Sequence, residues 1–171
     1  MIIKHKVWQA ILCNKVPRDG KIITSTWSMK KKANGTYRAR INACRFERED
    51  GEHFDSSSTS FPTVNDITIR VMFVIMLMAK MYMHVLDVHG TFLLGQFEGG
   101  EQIMMEVPKG FESFYPSNIY LLLLTTLYGL KQAALAWYRE LVRAFRHILF
   151  FRNEVDPCLF FKWNDVGLSM S

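Results

Sequence analysis

Two stretches place apolar residues at helical spacing over several turns. One begins at Asn65 or Asp66 as a cap and runs to about Met83, with Ile67, Val71, Val74, Ile75 and Met78 on the recurring positions. The other runs from about Lys131 to Leu149. Leu135, Trp137, Tyr138, Leu141, Val142, Phe145 and Ile148 build its apolar side, and Arg139, Arg143 and Arg146 lie outside it. Trp8, Ile11 and Leu12 show the same spacing over a shorter run within residues 1–16. Elsewhere the pattern is that of strands. Residues 21–32 alternate around Ile23 and Trp27, and Asn34-Gly35 is the strongest short hairpin signal. Residues 25–32 and 37–46 therefore predict a hairpin. Val85-Leu86-Asp87-Val88, residues 103–107, residues 119–124 and the segment opening at Asp156-Pro157 predict further strands, and residues 164–167 predict a second hairpin turn. This mixture predicts an α+β fold, with a mixed or antiparallel sheet and helices packed on one face.

Composition changes this picture little, and charge changes it more. The chain has 171 residues, 49% hydrophobic and 22% charged, enough to bury a core as one domain or a piece of a larger one. Net charge is +5, unevenly spread. Residues 1–50 carry 12 Lys and Arg against 4 Asp and Glu, whereas residues 51–171 carry 9 against 12. A basic lobe beside an acidic one suits a polyanion held near carboxylates, and a solvated basic surface explains the same numbers. Cys13, Cys44 and Cys158 are far apart and lack metal-ligand spacing, which fits a reducing compartment. Residues 71–79 and 119–124 are too short for a membrane span, and the first residues do not read as a signal peptide. An intracellular protein without a membrane partner is expected.

Two features could carry chemistry, and each has a plainer reading. Asp87 falls at the end of a predicted buried strand, where an unpaired carboxylate is costly. It either caps the turn that follows or ligates a metal ion. Lys30, Lys31, Lys32, Arg38, Arg40 and Arg45 gather on the predicted hairpin. They could grip phosphates, or blunt a sheet edge. Gly129-Leu130-Lys131-Gln132-Ala133 reads from periodicity as a glycine turn entering an amphipathic helix. Asp before Pro favours a turn, so Asp156 reads as structural.

Three motifs, at their spacing, resemble the reverse transcriptase of copia-type retrotransposons, an RNA-directed DNA polymerase. They are residues 85–95, Tyr128-Gly129-Leu130-Lys131-Gln132-Ala133-Ala134, and Asp156-Pro157-Cys158-Leu159-Phe160. Arg38-Ala39-Arg40 and residues 60–64 fit the same pattern less closely. The resemblance implies a fingers-like basic region over about residues 1–64, with its hairpin at 25–46. It implies part of a palm over about residues 65–171, carrying Asp87 and the Gly129–Ala133 motif. In that family Asp87 would be the first catalytic carboxylate, bridging two Mg²⁺ ions. Arg38 and Arg40 would meet the incoming triphosphate, Phe92 would lie under the nucleotide sugar and exclude a 2′-hydroxyl, and Gln132 would touch the nucleotide. Lys30, Lys31, Lys32, Arg45, Gly129 and Lys131 would face nucleic acid.

The implied partners are an RNA or DNA template-primer, deoxynucleoside triphosphates, and other polyprotein parts such as integrase and ribonuclease H. The family's paired-aspartate hairpin is expected to fall after Ser171. Asp55, Asp156 and Asp165 stand in turn contexts and do not replace it. The chain alone is therefore expected not to polymerise. A non-catalytic nucleic-acid-binding fragment and a non-functional remnant of a decayed element are the alternatives.

Overall fold

The computed structural model describes residues 6–17, 22–44, 60–97, 100, 102–165 and 167–171. It is α+β, and its strands divide among three sheets. The chain forms two compact units. One holds Met1–Ser60 and Gly90–Trp137; the other holds Phe61–His89 and Tyr138–Ser171.

The first unit is built on a four-stranded mixed sheet. Its strands are β1 (Trp8–Leu12), β2 (Ile22–Ile23), β5 (Met104–Met105) and β6 (Ile119–Leu123), in the order β1-β6-β5-β2. β6 pairs antiparallel with β1 and β5, and β2 runs parallel to β5. β1 corrects the helical spacing read at Trp8, Ile11 and Leu12. A run that short fits a period of two as well as 3.6, and it holds too few turns to nucleate a helix. Pairing against β6, from Trp8↔Leu123 to Leu12↔Ile119, settles it. The core of this unit is apolar, with Val7, Ile23, Met105, Leu121 and Leu127 almost wholly buried. The expected hairpin forms from β3 (Ser25–Lys31) and β4 (Tyr37–Ala43). Its turn is closed by Lys32 N–H to Thr36 O at 2.8 Å and by Asn34 Oδ1, which accepts from the Thr36 hydroxyl at 2.7 Å.

The second unit holds helix α1 (Asp66–Met78) and a three-stranded antiparallel sheet, β7 (Phe151–Arg152), β8 (Phe160–Asn164) and β9 (Gly167–Met170). Helix α2 (Ala133–His147) gives its first turn to the first unit and residues 138–147 to this one. Phe145 of α2 stacks on the buried Phe160 at 4.5 Å between ring centroids. Asn65 caps α1 as expected, its Oδ1 accepting from Ile67 N–H at 2.9 Å. The helix stops five residues earlier than its apolar pattern, at Met78, and Lys80 then adopts φ +52°. No residue of α1 is buried.

Asp156 ties this unit together. Its buried carboxylate accepts from Asn65 N–H at 3.1 Å and Cys158 N–H at 2.9 Å. The Thr68 hydrogen bond, then the Cys158 N–H, hold its pKa below the usual carboxylate value, against the opposing effect of burial. Burial, and then the charge of Asp156, push the Cys158 thiol upward, and its Sγ donates to Pro62 O. Asp156 is thus the turn and cap residue expected from Asp-Pro. Because its folded pKa is depressed, its stabilisation is complete above the unfolded value of about 4 and is lost as pH falls through the folded value. Asp156→Asn should lower the melting temperature at pH 7 and flatten the decline below about pH 4. Thermal melts across pH 2–7 check this, and an unchanged acid limb would contradict it.

Candidate functional site

The hairpin register sorts the predicted cations. Lys30 pairs with Arg38 and Ser28 with Arg40. Side chains two apart share a face, so Lys30, Arg38 and Arg40 lie on one side. Lys31 pairs with Tyr37 on the other side, and its Nζ stands 5.6 Å from the centre of that ring. Lys32 sits at the turn. Like charges directly opposite, as at Lys30 and Arg38, destabilise a hairpin by themselves.

At the base of this cationic face the hairpin is fastened to the loop before α2. Ala43 N–H donates to Tyr128 O at 2.7 Å, and Asn42 forms a parallel bridge with Tyr128. Gly129 follows at φ +89°, and a Cβ there would stand 2.4 Å from Ala43 O. The glycine that reads as a turn is required both by its backbone angle and by this close approach.

Tyr128 stands between two of the predicted residues. The Arg40 guanidinium lies over its ring at 5.0 Å from the centroid, within cation–π range. Phe92 meets the same ring edge-on at 5.2 Å and 90°. Phe92 sits on a single 3-10 turn, Thr91–Leu93, that starts from Gly90 at φ +70°. Its carbonyl accepts from the buried Thr126 hydroxyl, and Thr126 N–H donates to Gly95 O at 2.9 Å. A Cβ on Gly95 would meet Thr126 Oγ1 at 2.5 Å, so this turn packs directly on Thr126. Arg40 and Phe92, 52 positions apart in sequence, are thus joined through one ring. Periodicity marks neither Tyr128 nor Thr126; the only signal was that Tyr128 opens the Tyr128–Ala134 motif.

The other predicted residues are placed differently. Lys131 and Gln132 are half-buried at the entrance to α2, where Gln132 O accepts from Ala136 N–H at 2.9 Å. Arg45 and Asp55 lie outside the described residues. The strand expected around Asp87 is corrected: it does not form, and residues 81–88 pair with no strand among the described residues. Asp87 is exposed, and its neighbours Val85 and Leu86 are 86% and 89% exposed. β-branched residues favour a strand only where a neighbouring edge completes the ladder, and none does so among the described residues. A cavity of about 400 Å³ in this unit is lined by α1, by residues 81–86 and by Met170 and Ser171, and its lining stops one residue short of Asp87.

Among the described residues no three His, Cys, Asp or Glu side chains gather to hold a metal ion. Asp156 is committed to the Asn65 and Cys158 N–H groups and to Thr68, and Asp165 lies at the β8–β9 turn. A two-ion Mg²⁺ site takes several oxygen ligands in near-octahedral geometry, and the described residues do not assemble such a set around Asp87.

The family of reverse transcriptases (RNA-dependent DNA polymerases) matches residues 5–168. The chain belongs to the reverse transcriptase family. The retrovirus-related Pol polyprotein from transposon TNT 1-94 of Nicotiana tabacum is 31% identical over 152 residues, 86% of this chain and 11% of that protein. The corresponding polyprotein from transposon RE1 of Arabidopsis thaliana is 30% identical over 149 residues, 84% of this chain and 10% of that protein. The chain thus spans about a tenth of the length of these relatives. No solved structure matches it. The retrotransposon resemblance carried by the three motifs holds. Among the described residues no helix of this reverse transcriptase domain is long and apolar enough to cross a membrane.

Gly129→Ala should destabilise the chain by about 2 kcal/mol or more, from the left-handed backbone angle and the clash with Ala43 O. Amide exchange at Ala43 should accelerate with it. A variant with unchanged melting and unchanged Ala43 protection would contradict the role given to this junction.

Proposed function

We propose that this chain forms the nucleotide-gripping part of a retrotransposon RNA-directed DNA polymerase and does not polymerise by itself. Residues up to about 64 act as fingers, and residues 65–171 as part of a palm. The observation that supports this most is the shared hairpin face of Lys30, Arg38 and Arg40, with Arg40 joined to Phe92 through Tyr128. Three cations on one strand pair repel one another, and a triphosphate removes that penalty. Arg38 and Arg40 offer planar, bidentate donors to its oxygens. Phe92 supplies an aromatic surface for the sugar and leaves no room for a 2′-hydroxyl, and Gln132 touches the nucleotide.

Mg²⁺ chemistry belongs to the family's reaction, but the described residues do not gather a ligand set for it. No step through Mg²⁺ is assigned to this chain. Asp87 remains the family's carboxylate by its motif, and among the described residues it belongs to no group of three His, Cys, Asp or Glu side chains. Template-primer, deoxynucleoside triphosphates and other polyprotein parts are the proposed partners. With purified chain, primer, template and Mg²⁺, no template-dependent extension is expected. Clear extension would overturn the proposed inactivity.

A second reading is favoured by the exposure of Lys30, Lys31, Lys32 and Arg38 at the hairpin end. As a binding module without chemistry, the hairpin would hold nucleic acid through its phosphates. Affinity for duplex DNA should then fall with salt, with a log–log slope of about −3 to −4. Replacing Lys30 and Arg38 by Ala should reduce that slope by about 2 and weaken binding equally for different sequences. A salt-independent affinity would rule out this mode.

A further inference from the structure

Tyr128 carries no charge and belongs to no set of groups that the proposed chemistry uses, yet three constraints converge on it. Its carbonyl receives the Ala43 N–H, one face of its ring lies under the Arg40 guanidinium, and Phe92 abuts it edge-on. The ring is half-buried and followed directly by Gly129, whose lack of a side chain lets the hairpin backbone come this close. An arginine side chain has several freely rotating bonds, and a guanidinium on an exposed hairpin samples many positions. Resting it on an aromatic face removes much of that freedom before a ligand arrives. The same ring limits the rotation of Phe92, whose backbone is already held by the Thr126 hydroxyl.

We infer that Tyr128 is a positioning residue that holds the triphosphate-binding Arg40 and the sugar-facing Phe92 in register with each other. It therefore helps to set both nucleotide affinity and the preference for deoxyribose over ribose. This rests on the nucleotide reading of Arg40 and Phe92. Tyr128 acts through the face and edge of its ring, so Phe should replace it and an aliphatic residue should not. The Arg40 contact depends on the negative face of the ring, so withdrawing electron density from the ring should weaken it without changing shape.

The test measures dissociation constants of the purified chain for dATP and ATP. Y128F should stay within about twofold of the unsubstituted chain, whereas Y128L should bind dATP about 5-fold more weakly and lose part of its preference over ATP. Phenylalanines with one, two and three ring fluorines at position 128 should weaken dATP binding stepwise, which also decides the matter if Y128L does not fold. A purely structural role would leave the dATP/ATP ratio and the fluorine series flat. If R40A weakens dATP binding but Y128L and the fluorine series do not, Tyr128 is not a positioning residue and the nucleotide reading survives. If the unsubstituted chain and R40A bind dATP equally, or neither binds, the nucleotide reading fails and this inference falls with it.

Discussion

The backbone hydrogen bond from Ala43 to Tyr128 is the joint on which the candidate site depends. A two-stranded hairpin is marginal alone, and one with cations opposed across its strands is worse. Here the base of the hairpin is locked to the loop before α2, and Gly129 is the residue that allows the approach. Ile41 and Ala43 are buried at that base, while the outer half of the hairpin stands in solvent. Rigid at its root and charged at its end, the hairpin can present donors without being part of the core sheet. Arg40 lies where the two regimes meet, half-buried and resting on an aromatic ring.

Much of this was legible in the residues themselves. Asn34-Gly35 announced the hairpin because its backbone angles suit few other residues, and the period of α2 announced an amphipathic helix. Asn65 was readable as a cap and Asp156 as a turn residue, since both act through nearby backbone N–H groups. What was not legible depends on partners distant in sequence. β1 became a strand because β6, more than a hundred residues later, offered it a ladder. The segment around Asp87 has strand-forming residues and no such partner among the described residues. The ring that joins Arg40 to Phe92 is a matter of three segments meeting, which no local pattern records.

The second unit leaves much apolar surface exposed. α1 is apolar nearly all round and buries no residue, with Leu77 and Met78 at 72% and 81% exposure. A helix without a polar face belongs in an interior. Asp87 shares this unit and this condition: its flanking valines and leucine are exposed rather than packed. Arg40, Tyr128 and Phe92 are therefore better packed in this chain than Asp87. That contrast is the physical basis for separating family membership, which the comparisons establish, from polymerase activity of this chain.

On the proposed reading, one face of the hairpin, together with Phe92, receives a nucleotide. The most direct measurement is a nuclear magnetic resonance titration of the chain with dATP, following backbone and side-chain shifts residue by residue. Saturable shifts at Lys30, Arg38, Arg40, Phe92 and Tyr128, with Lys31 and Tyr37 unmoved, are the predicted result. Shifts confined to the Lys31–Tyr37 face, or none at all, would contradict it.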